Sequence, residues 1–514
     1  MATHMMHTRP IPGLFSGRSP GRLSSRLSSH SPGRSPGALP ILAALAAALL
    51  LAGCGALVQT PYSRPETKTP QSWHAAQPAS AGDATAAIQK DSEADSGHWW
   101  RRFDDAALNA LIDRVLQTNN DLAAATLRVR RAQLQAGMAQ INLHPSVSAG
   151  GNAGTQRNMR GDANRSESYS VSASVSWEVD LWGRLGSLRD AAEWTALATE
   201  QDRQATRLTL IGTTMQLYWQ AALLNERIAT ARLSIDVAER TLELVRGQYR
   251  TGAVSGLEVA EAESTLASQR ASLVELLQQR TETLNALSIL TDEPPSQDVA
   301  IPARLPDAAP PEVQAGLPAE LLGRRPDLRA AELRLRGTLA NGDATRASYY
   351  PRLSLTGSLG SSSSALANVL QNPIGTLGAG LLLPFLQWNQ MRLDSAISRN
   401  EYEEAVVNFR QSLYQAMTDV ENALSARGTL AEQAAQLQAS LASARRAEQI
   451  YEARYRAGAV ALRSWLDAQE RRRQAEISVS QNRYSRYVNQ VTLYQALGGD
   501  TTFDAVAQAA AAAS

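Results

Sequence analysis

The chain of 514 residues contains a single cysteine and only six histidines. One cysteine excludes intrachain disulfides and sites built from several thiolates. Three histidines (His4, His7 and His30) precede residue 38, and the other three match no zinc motif of the H-E-x-x-H kind. A phosphate-binding P-loop is also missing. We therefore expect no catalytic residues, no metal site and no cofactor, and we predict that the protein is not an enzyme.

An excess of charge and long hydrophobic runs are lacking too. Fifty basic residues face 49 acidic ones, and the formal net charge is +1, which argues against a nucleic-acid-binding surface. Beyond the amino-terminal region, no apolar run approaches the ~20 residues that a membrane-spanning helix needs. If the chain crosses a bilayer, we expect it to do so with strands.

The amino terminus holds the one strong hydrophobic run. Residues 38–52 are apolar, follow an arginine-containing leader, and end in small residues just before Cys54. This pattern predicts a secretory signal over residues 1–53, and the cysteine directly after it resembles the lipobox of bacterial lipoproteins. Acyl chains on Cys54 would anchor the protein, since each buried methylene contributes about 0.8 kcal/mol. Gly55, where an aspartate would favour the inner membrane, indicates the outer membrane. A buried structural cysteine is the alternative.

The most regular stretch is Ser168 to Trp182, in which polar and apolar residues alternate without a break. Side chains of successive strand residues point to opposite faces, so this pattern predicts a strand with one apolar face and one polar face. A membrane strand needs about 9–11 tilted residues with lipid outside and a polar lumen inside. Taken alone, the stretch fits a membrane barrel and an ordinary sheet equally well.

A tandem duplication organises the rest of the chain. Adding 206 to a residue number in the first half repeatedly gives a matching residue in the second half. The matched pairs include Pro145 and Pro351, Trp182 and Trp388, Tyr249 and Tyr455, Gly252 and Gly458, and Val254 and Val460. We predict two structural repeats, over residues 99–290 and 321–497. The remaining segments are predicted to be an extended tether (54–98), a proline-rich linker (291–320) and a loose tail (498–514).

Each repeat is predicted to contain two strands and a long helical hairpin. In the first repeat the strands cover residues 147–153 and 168–182, with a polar loop over 155–167, and Asp121 is a candidate cap of an earlier helix. The long helix runs from about Leu185 to Tyr249 and has a heptad seam of apolar and small residues. The second repeat has predicted strands at 352–360 and 375–387 and a long helix over 390–455. The return helices begin after Gly256 and Gly458 and end near Leu290 and Leu497.

Four strands per chain cannot close a barrel, and an open strand edge is not tolerated in lipid. Three copies give twelve strands, which is a plausible closed barrel. The predicted fold class is therefore α+β and mostly helical, with a strand barrel shared by a homotrimer and continued by long helices.

Several short motifs occur in a specific order and spacing. They are the lipobox with Thr60-Pro61-Tyr62-Ser63-Arg64-Pro65, Trp99-Trp100 with Phe103, Asn120-Asp121-Leu122, Asp180-Leu181-Trp182-Gly183-Arg184, Arg324-Arg325-Pro326-Asp327, two Tyr-x-x-Gly turns and Leu466-Asp467-Ala468-Gln469. Together they resemble the outer-membrane factor family, in particular TolC-like, NodT-type efflux lipoproteins. The resemblance implies a trimeric barrel in the outer membrane of a Gram-negative bacterium, lipid-anchored on the periplasmic side and continued into the periplasm by helices.

The resemblance also implies a function and partners. The protein would be the passive exit duct of a tripartite efflux system. It would receive small molecules such as drugs, organic compounds or metal ions from a periplasmic adaptor and an inner-membrane transporter of the RND type or similar. The alternatives are a duct of a type I protein secretion system, or a structural lipoprotein that spans the periplasm.

By the same resemblance, the pore would be closed by residues near the two Tyr-x-x-Gly turns. The implied gate residues are Tyr249, Glu258, Glu261, Tyr455, Arg456, Arg463 and Asp467, and the implied adaptor contacts are Gly252, Ala253, Val254, Gly458, Ala459 and Val460. A ring of carboxylates at the positive ends of helices would suit a constriction. Solvated helix-end charges are the alternative interpretation. Ser464 stands where the first repeat has Glu258, which makes an asymmetric gate an expectation.

Overall fold

The computed structural model describes residues 59–74, 98–157, 159, 165–295, 299–313, 315–316 and 318–499. These residues all belong to the second of two compact units, Cys54–Ser514. The predicted signal peptide, the lipidation site Cys54 and residues 500–514 lie outside the described residues.

In the first half of the chain, the described residues form four helices and two strands. After a 3-10 turn at Trp99–Phe103 come α1 (Ala106–Thr118), α2 (Asn120–Ile141), β1 (Ser146–Arg157), β2 (Arg165–Val179), α3 (Arg184–Arg250) and α4 (Gly256–Leu290). Helix α3 has 67 residues, so it is about 100 Å long. The predicted long helix and its return helix are confirmed. The members of the heptad seam of α3 are buried or partly buried as far as Val245, and the last member, Tyr249, is exposed.

The second half repeats this order. After a 3-10 turn at Pro318–Glu320 and a helical turn at Leu321–Arg324 come α5 (Pro326–Ala347), β3 (Arg352–Ser363), β4 (Ile374–Leu382), α6 (Trp388–Arg456) and α7 (Leu462–Ala496). Short 3-10 turns lie at Leu366–Asn368 and Pro384–Leu386. No helix in the described part of the chain combines the length and the hydropathy needed to cross a membrane.

The four strands form one antiparallel sheet in the order β1-β2-β3-β4. Its register aligns the apolar residues of all four strands on one face, for example Ala149 with Ala173, Ala173 with Leu359, and Leu355 with Ala379. The opposite face carries mostly serine, threonine and glycine, and Ile374 and Leu382 stand on it at the two ends of β4. The alternation predicted for Ser168 to Trp182 therefore extends over most of the sheet.

Two predicted strands end earlier than expected. Strand β2 ends at Val179 because Asp180 accepts hydrogen bonds from the backbone N–H groups of Leu185 (3.1 Å) and Gly186 (2.7 Å) at the start of α3. Gly183 has a φ of 71°, which breaks the extended backbone before Arg184. Strand β4 ends at Leu382 because Pro384 has no N–H to donate to a ladder.

Two other boundaries also correct the sequence interpretation. The hairpin loop is shorter than residues 155–167, since β1 and β2 pair as far as Arg157 with Arg165. Helix α2 is capped by Asn119, whose side chain accepts from the N–H groups of Asp121 (3.0 Å) and Leu122 (3.1 Å). Asp121 itself lies in the first helical turn, where its charge suits the positive end of the helix dipole.

Two hydrophobic clusters hold the helices together. The larger lies where the short helices meet the long ones, and it contains an aromatic group in which Trp99 stacks on Tyr494 at 4.7 Å and Phe103 meets Trp219 at 5.1 Å. The smaller, here called the tip core, lies at the far ends of the long helices. Its buried members are Ala238, Leu242, Val245, Ala262, Leu266, Tyr455, Leu462, Trp465 and Leu466.

Residues 59–74 were predicted to be part of a tether, and they contain no helix or strand. They nevertheless pack against α5. The Thr60 N–H and hydroxyl both donate to the buried carboxylate of Asp343 at 2.8 Å, and Arg64 forms an ion pair with Glu332 at 2.7 Å. Trp73 is buried and donates from Nε1 to the carbonyl of Gly316 at 2.9 Å. This segment is therefore attached to the helices.

Candidate functional site at the helix tips

Both long helices end in the same backbone motif. In the first repeat the Gly252 N–H donates to the Tyr249 carbonyl (3.0 Å) and the Ala253 N–H donates to the Gln248 carbonyl (2.9 Å). Gly252 has a φ of 75°. This is a Schellman motif, which needs a left-handed residue that glycine adopts without strain.

The second repeat has the same geometry. Gly458 has a φ of 74°, its N–H donates to the Tyr455 carbonyl (2.9 Å), and the Ala459 N–H donates to the Arg454 carbonyl (2.9 Å). The two turns, residues 251–255 and 457–461, are called the first tip and the second tip below. Their backbones are equivalent, so their differences lie in the side chains.

The return helix of the first tip begins with a capping box. The Ser255 hydroxyl accepts from the Leu257 N–H at 3.2 Å, and the Glu258 carboxylate accepts from the Ser255 N–H at 3.0 Å and from its hydroxyl. These hydrogen bonds from Ser255 lower the pKa of Glu258. The carboxylate predicted for the gate thus satisfies donors at its own helix end.

The second tip has no such box. Ala461 and Ser464 occupy the positions of Ser255 and Glu258, and the N-cap Ala461 makes no side-chain hydrogen bond. The replacement of Glu258 by Ser464 is therefore one half of a paired change. Both members of the capping box differ between the repeats, so the two return helices begin with different caps.

Three predicted gate residues do come together. Arg463, in the first turn of α7, forms an ion pair with Asp467 on its own helix (Nε–Oδ1 3.2 Å) and reaches Glu261 on α4 (Nη1–Oε1 3.7 Å). Glu261 and Asp467 are repeat partners at the offset of 206. We call these three residues the charge cluster. It joins the two hairpins, and it borders a cavity of about 560 Å³ between α3, α4 and α7.

The two tip tyrosines have different environments. Tyr455 is buried, stacks on Trp465 with ring centroids 5.3 Å apart, and donates its hydroxyl to the Gln248 side chain at 2.7 Å. Burial, with a smaller contribution from Glu258, raises the pKa of Tyr455. Tyr249 is 53% exposed. Of the two tyrosines, Tyr455 is therefore the one that contacts the other hairpin, through Gln248.

The other predicted residues lie nearby but outside the charge cluster. Arg456 forms an ion pair with Glu452 of the same helix at 2.7 Å. The tip residues Gly252, Ala253, Gly458 and Ala459 are exposed, whereas Val254 and Val460 pack against the tip core.

Sequence reasoning did not single out Trp465 or Gln248. Trp465 corresponds to Val259 at the offset of 206, and Gln248 corresponds to Arg454. A tryptophan in one repeat at the position where the other repeat has a valine indicates a role that the two repeats do not share.

Comparison with known proteins identifies the family. A family model described as "Outer membrane efflux protein" matches residues 111–291 and 317–499, which together exceed half of the chain. The chain belongs to the outer membrane efflux protein family. Each matched segment contains one β-hairpin and one long helical hairpin.

Relatives in this family are similar over most of their length. The pyoverdine export outer membrane protein OpmQ of Pseudomonas putida is 35% identical over 443 residues, covering 84% of this chain and 94% of that protein. The probable efflux pump outer membrane protein TtgC of the same species is 30% identical over 464 residues, covering 88% and 94%. The open state of the MtrE outer membrane channel of Neisseria gonorrhoeae is similar with a TM-score of 0.71 and 28% identity, covering 86% and 97%.

The family match and these relatives confirm the predicted resemblance, fold class and function. The protein is an efflux channel of the outer membrane of a Gram-negative bacterium. Protein secretion and a purely structural lipoprotein are not favoured. The relatives are channel proteins.

Proposed function

We propose that three copies of this chain form the exit duct of a tripartite efflux system. The observation that carries this proposal is the sheet, which has an apolar face, a hydroxyl-rich face and, among the described strands, only one partner each for β1 and β4. Four strands cannot close on themselves, and unpaired edges are costly in lipid. Pairing β4 of one copy with β1 of the next gives a closed ring of twelve strands.

The helices below the sheet support the same arrangement. Helices α2, α3, α5 and α6 pack side by side in this order, so α2 and α6 lie at the two ends of the row. Both end helices expose large apolar side chains, which are Leu127, Leu134, Met138 and Ile141 on α2 and Leu393, Ile397 and Val407 on α6. Contact between α2 of one copy and α6 of the next would bury these side chains.

The charge cluster is the proposed gate. In a threefold assembly, Glu261, Arg463 and Asp467 would be repeated around the axis at the tips, with Tyr455 holding the second hairpin to α3. An Arg that bridges two carboxylates keeps the hairpins together, and rearranging these ion pairs would let the tips separate. Tyr249, Glu258 and Arg456 stay predicted members of the gate. In this structure Tyr249 is exposed, Glu258 accepts hydrogen bonds from Ser255, and Arg456 forms an ion pair with Glu452.

The partners follow from this arrangement. The exposed residues of both tips would receive a periplasmic adaptor, and an inner-membrane transporter would choose the cargo and supply the energy. We propose small molecules as cargo, since the OpmQ relative exports pyoverdine and TtgC is a probable efflux pump protein. The duct itself would carry out no chemical reaction. Acylation of Cys54 would anchor the chain on the periplasmic side of the outer membrane.

The test is single-channel conductance in planar bilayers, measured on protein that is first shown to be trimeric by its mass in detergent. Arg463→Ala removes the bridge between Glu261 and Asp467, and we expect the open-channel current to rise severalfold. The matched control is Arg240→Ala, because Arg240 pairs with Asp236 of its own helix among the contacts described, and we expect it to conduct like the unmodified protein.

Two outcomes would contradict the proposal. A monomer in detergent would remove the closed ring and the duct with it. A trimer in which Arg463→Ala and Arg240→Ala conduct alike would keep the duct and remove the charge cluster from its gate.

A further inference from the structure

The hydroxyl-rich face of the sheet is almost free of charge. Across the four strands its rows read Ser146, Ser176, Thr356, Gly378 and then Ser148, Ser174, Ser358, Thr376. Towards the loop end the face continues with serine, glycine, asparagine and glutamine, and with Ile374 on β4. Among the described strand residues, the charged side chains on this face are Glu178 and Arg352, and both stand at the end nearest the helices.

Glu178 forms a bidentate ion pair with Arg184. Arg184, the first residue of α3, donates from Nε to Glu178 Oε1 at 3.0 Å and from Nη2 to both carboxylate oxygens at 2.8 Å. Both side chains keep solvent exposure, 19% for Arg184 and 29% for Glu178. The neighbours of Glu178 along its row are small, Ser354 on β3 and Gly380 on β4. The pair is therefore a charged group surrounded by small, uncharged residues of this face.

The second repeat has no equivalent pair. At the offset of 206, Pro384 and Gln390 take the places of Glu178 and Arg184. Each chain thus contributes one such pair. Asp180, whose carboxylate accepts hydrogen bonds from the first turn of α3, and Arg352 also lie at this end of the sheet.

We propose that Glu178 and Arg184 form a charged collar that governs the ion selectivity of the duct where the strands meet the helices. The inference rests on the proposed trimer, in which the hydroxyl-rich face lines the lumen as polar faces of membrane barrels do. Three copies then place three paired carboxylates and guanidinium groups around the lumen. The collar is electrically neutral when both partners are present, so it passes cargo of either sign.

Removing one partner leaves the other uncompensated. Glu178→Gln leaves three net positive charges around the lumen, and Arg184→Gln leaves three net negative charges. A ring of like charges favours ions of the opposite sign. The effect depends on ionic strength, because the screening length is about 30 Å at 0.01 M salt, about 10 Å at 0.1 M and only about 3 Å at 1 M.

The experiment measures reversal potentials of the full-length trimer in planar bilayers across a tenfold gradient of KCl, about 0.01 M against 0.1 M. Perfect selectivity would give about 59 mV. We expect shifts in opposite directions, towards anions for Glu178→Gln and towards cations for Arg184→Gln. The double variant Glu178→Gln with Arg184→Gln should return to the unmodified value, and all shifts should vanish at about 1 M salt.

The control is Ser176→Ala, one pleat away on the same face, which should leave the reversal potential unchanged. If Glu178→Gln assembles poorly, Glu178→Ser places at this position the residue that most of the face already carries. A pair that only fastens α3 to β2 would weaken assembly in both single variants without opposite shifts. Functional channels whose reversal potentials all agree would overturn the collar while leaving the duct intact, whereas unmodified protein that forms no channel would overturn the proposed function.

Discussion

The first tip and the second tip have the same backbone and different side chains. Both end a long helix in a Schellman motif at a glycine with positive φ, Gly252 or Gly458. The first tip then fixes its return helix through hydrogen bonds of Ser255 and Glu258. The second tip lacks that cap, and its return helix begins with buried side chains, including Trp465. The repeats have thus kept a turn geometry and stabilised it in two ways.

The opposite ends of the long helices differ in the same sense. At the start of α3, Asp180 accepts a hydrogen bond from the backbone N–H of Leu185, and Arg184 pairs with Glu178. Helix α6 begins after Pro384, and Trp388 at its first position is exposed. The two repeats therefore share a backbone path, and the first repeat alone has these polar side-chain contacts at the start of its long helix. This predicts that equivalent positions respond unequally to mutation.

Trp465→Ala should have the largest effect on this comparison. Trp465 is 4% exposed and stacks on Tyr455, and truncation of a buried tryptophan costs about 3–5 kcal/mol because a cavity remains. We expect the opening free energy of the second tip to fall by this order, measured by hydrogen exchange of tip amides in the purified protein.

Val259→Ala is the matched variant for Trp465→Ala, since Val259 occupies the equivalent position and is partly buried against the same tip core. Loss of two methyl groups should cost about 1–2 kcal/mol. Equal losses of opening free energy at the two positions would show that the tip core does not depend on the tryptophan. The two tips would then differ in sequence but not in stability.

Most of the fold was predictable because it follows from periodic patterns. The 2-residue period of Ser168 to Val179 and the heptad seam of α3 each repeat a simple rule many times, so one irregular residue does not hide them. The ends of elements were less predictable. Asp180 continues the alternation of the strand, yet it caps a helix, because a short carboxylate can satisfy free backbone N–H groups at a helix start.

The site was predictable in part. The offset of 206 paired Glu261 with Asp467, and the structure joins both through Arg463. The same offset also paired Tyr249 with Tyr455, which have different environments, because burial depends on neighbours that the repeats do not share. Trp465 covers Tyr455, and Val259 is its small counterpart. Contacts between residues far apart in sequence, such as Arg64 with Glu332, carry no local pattern at all.

A smaller effect is expected at the cap of the first tip. Ser255→Ala removes the hydroxyl that accepts from the Leu257 N–H, and loss of a helix N-cap costs about 1 kcal/mol. Hydrogen exchange at the start of α4 should speed up accordingly. The reciprocal variant, Ala461→Ser with Ser464→Glu, builds the same box at the second tip and should slow exchange at the start of α7. A reciprocal variant without effect would mean that buried side chains already fix that helix end.

The same cap should respond to pH. The pKa of Glu258 in the folded protein lies below the ordinary value of 4.5, so the folded state favours the deprotonated carboxylate. The contribution of this carboxylate to stability is complete above pH 4.5 and is lost as the pH falls through the lower pKa of the folded state. Protection of the first tip should therefore decrease in acid more than protection of the second, and Ser255→Ala should remove that difference.

The smallest expected effect concerns the tyrosine pair. Tyr455→Phe deletes the hydroxyl that donates to Gln248 and leaves the stacking on Trp465 in place. A single hydrogen bond contributes about 0.5–1.5 kcal/mol, and Gln248 then loses a partner in a partly buried place. Tyr249→Phe, at an exposed ring, should leave the stability of the tips unchanged.

Because Tyr455 links α6 to α3, Tyr455→Phe should also open the channel more often in planar bilayers, whereas Tyr249→Phe should not. Similar open probabilities for both variants would mean that the hairpins are held together by Arg463 alone and that the tyrosine difference has no part in gating.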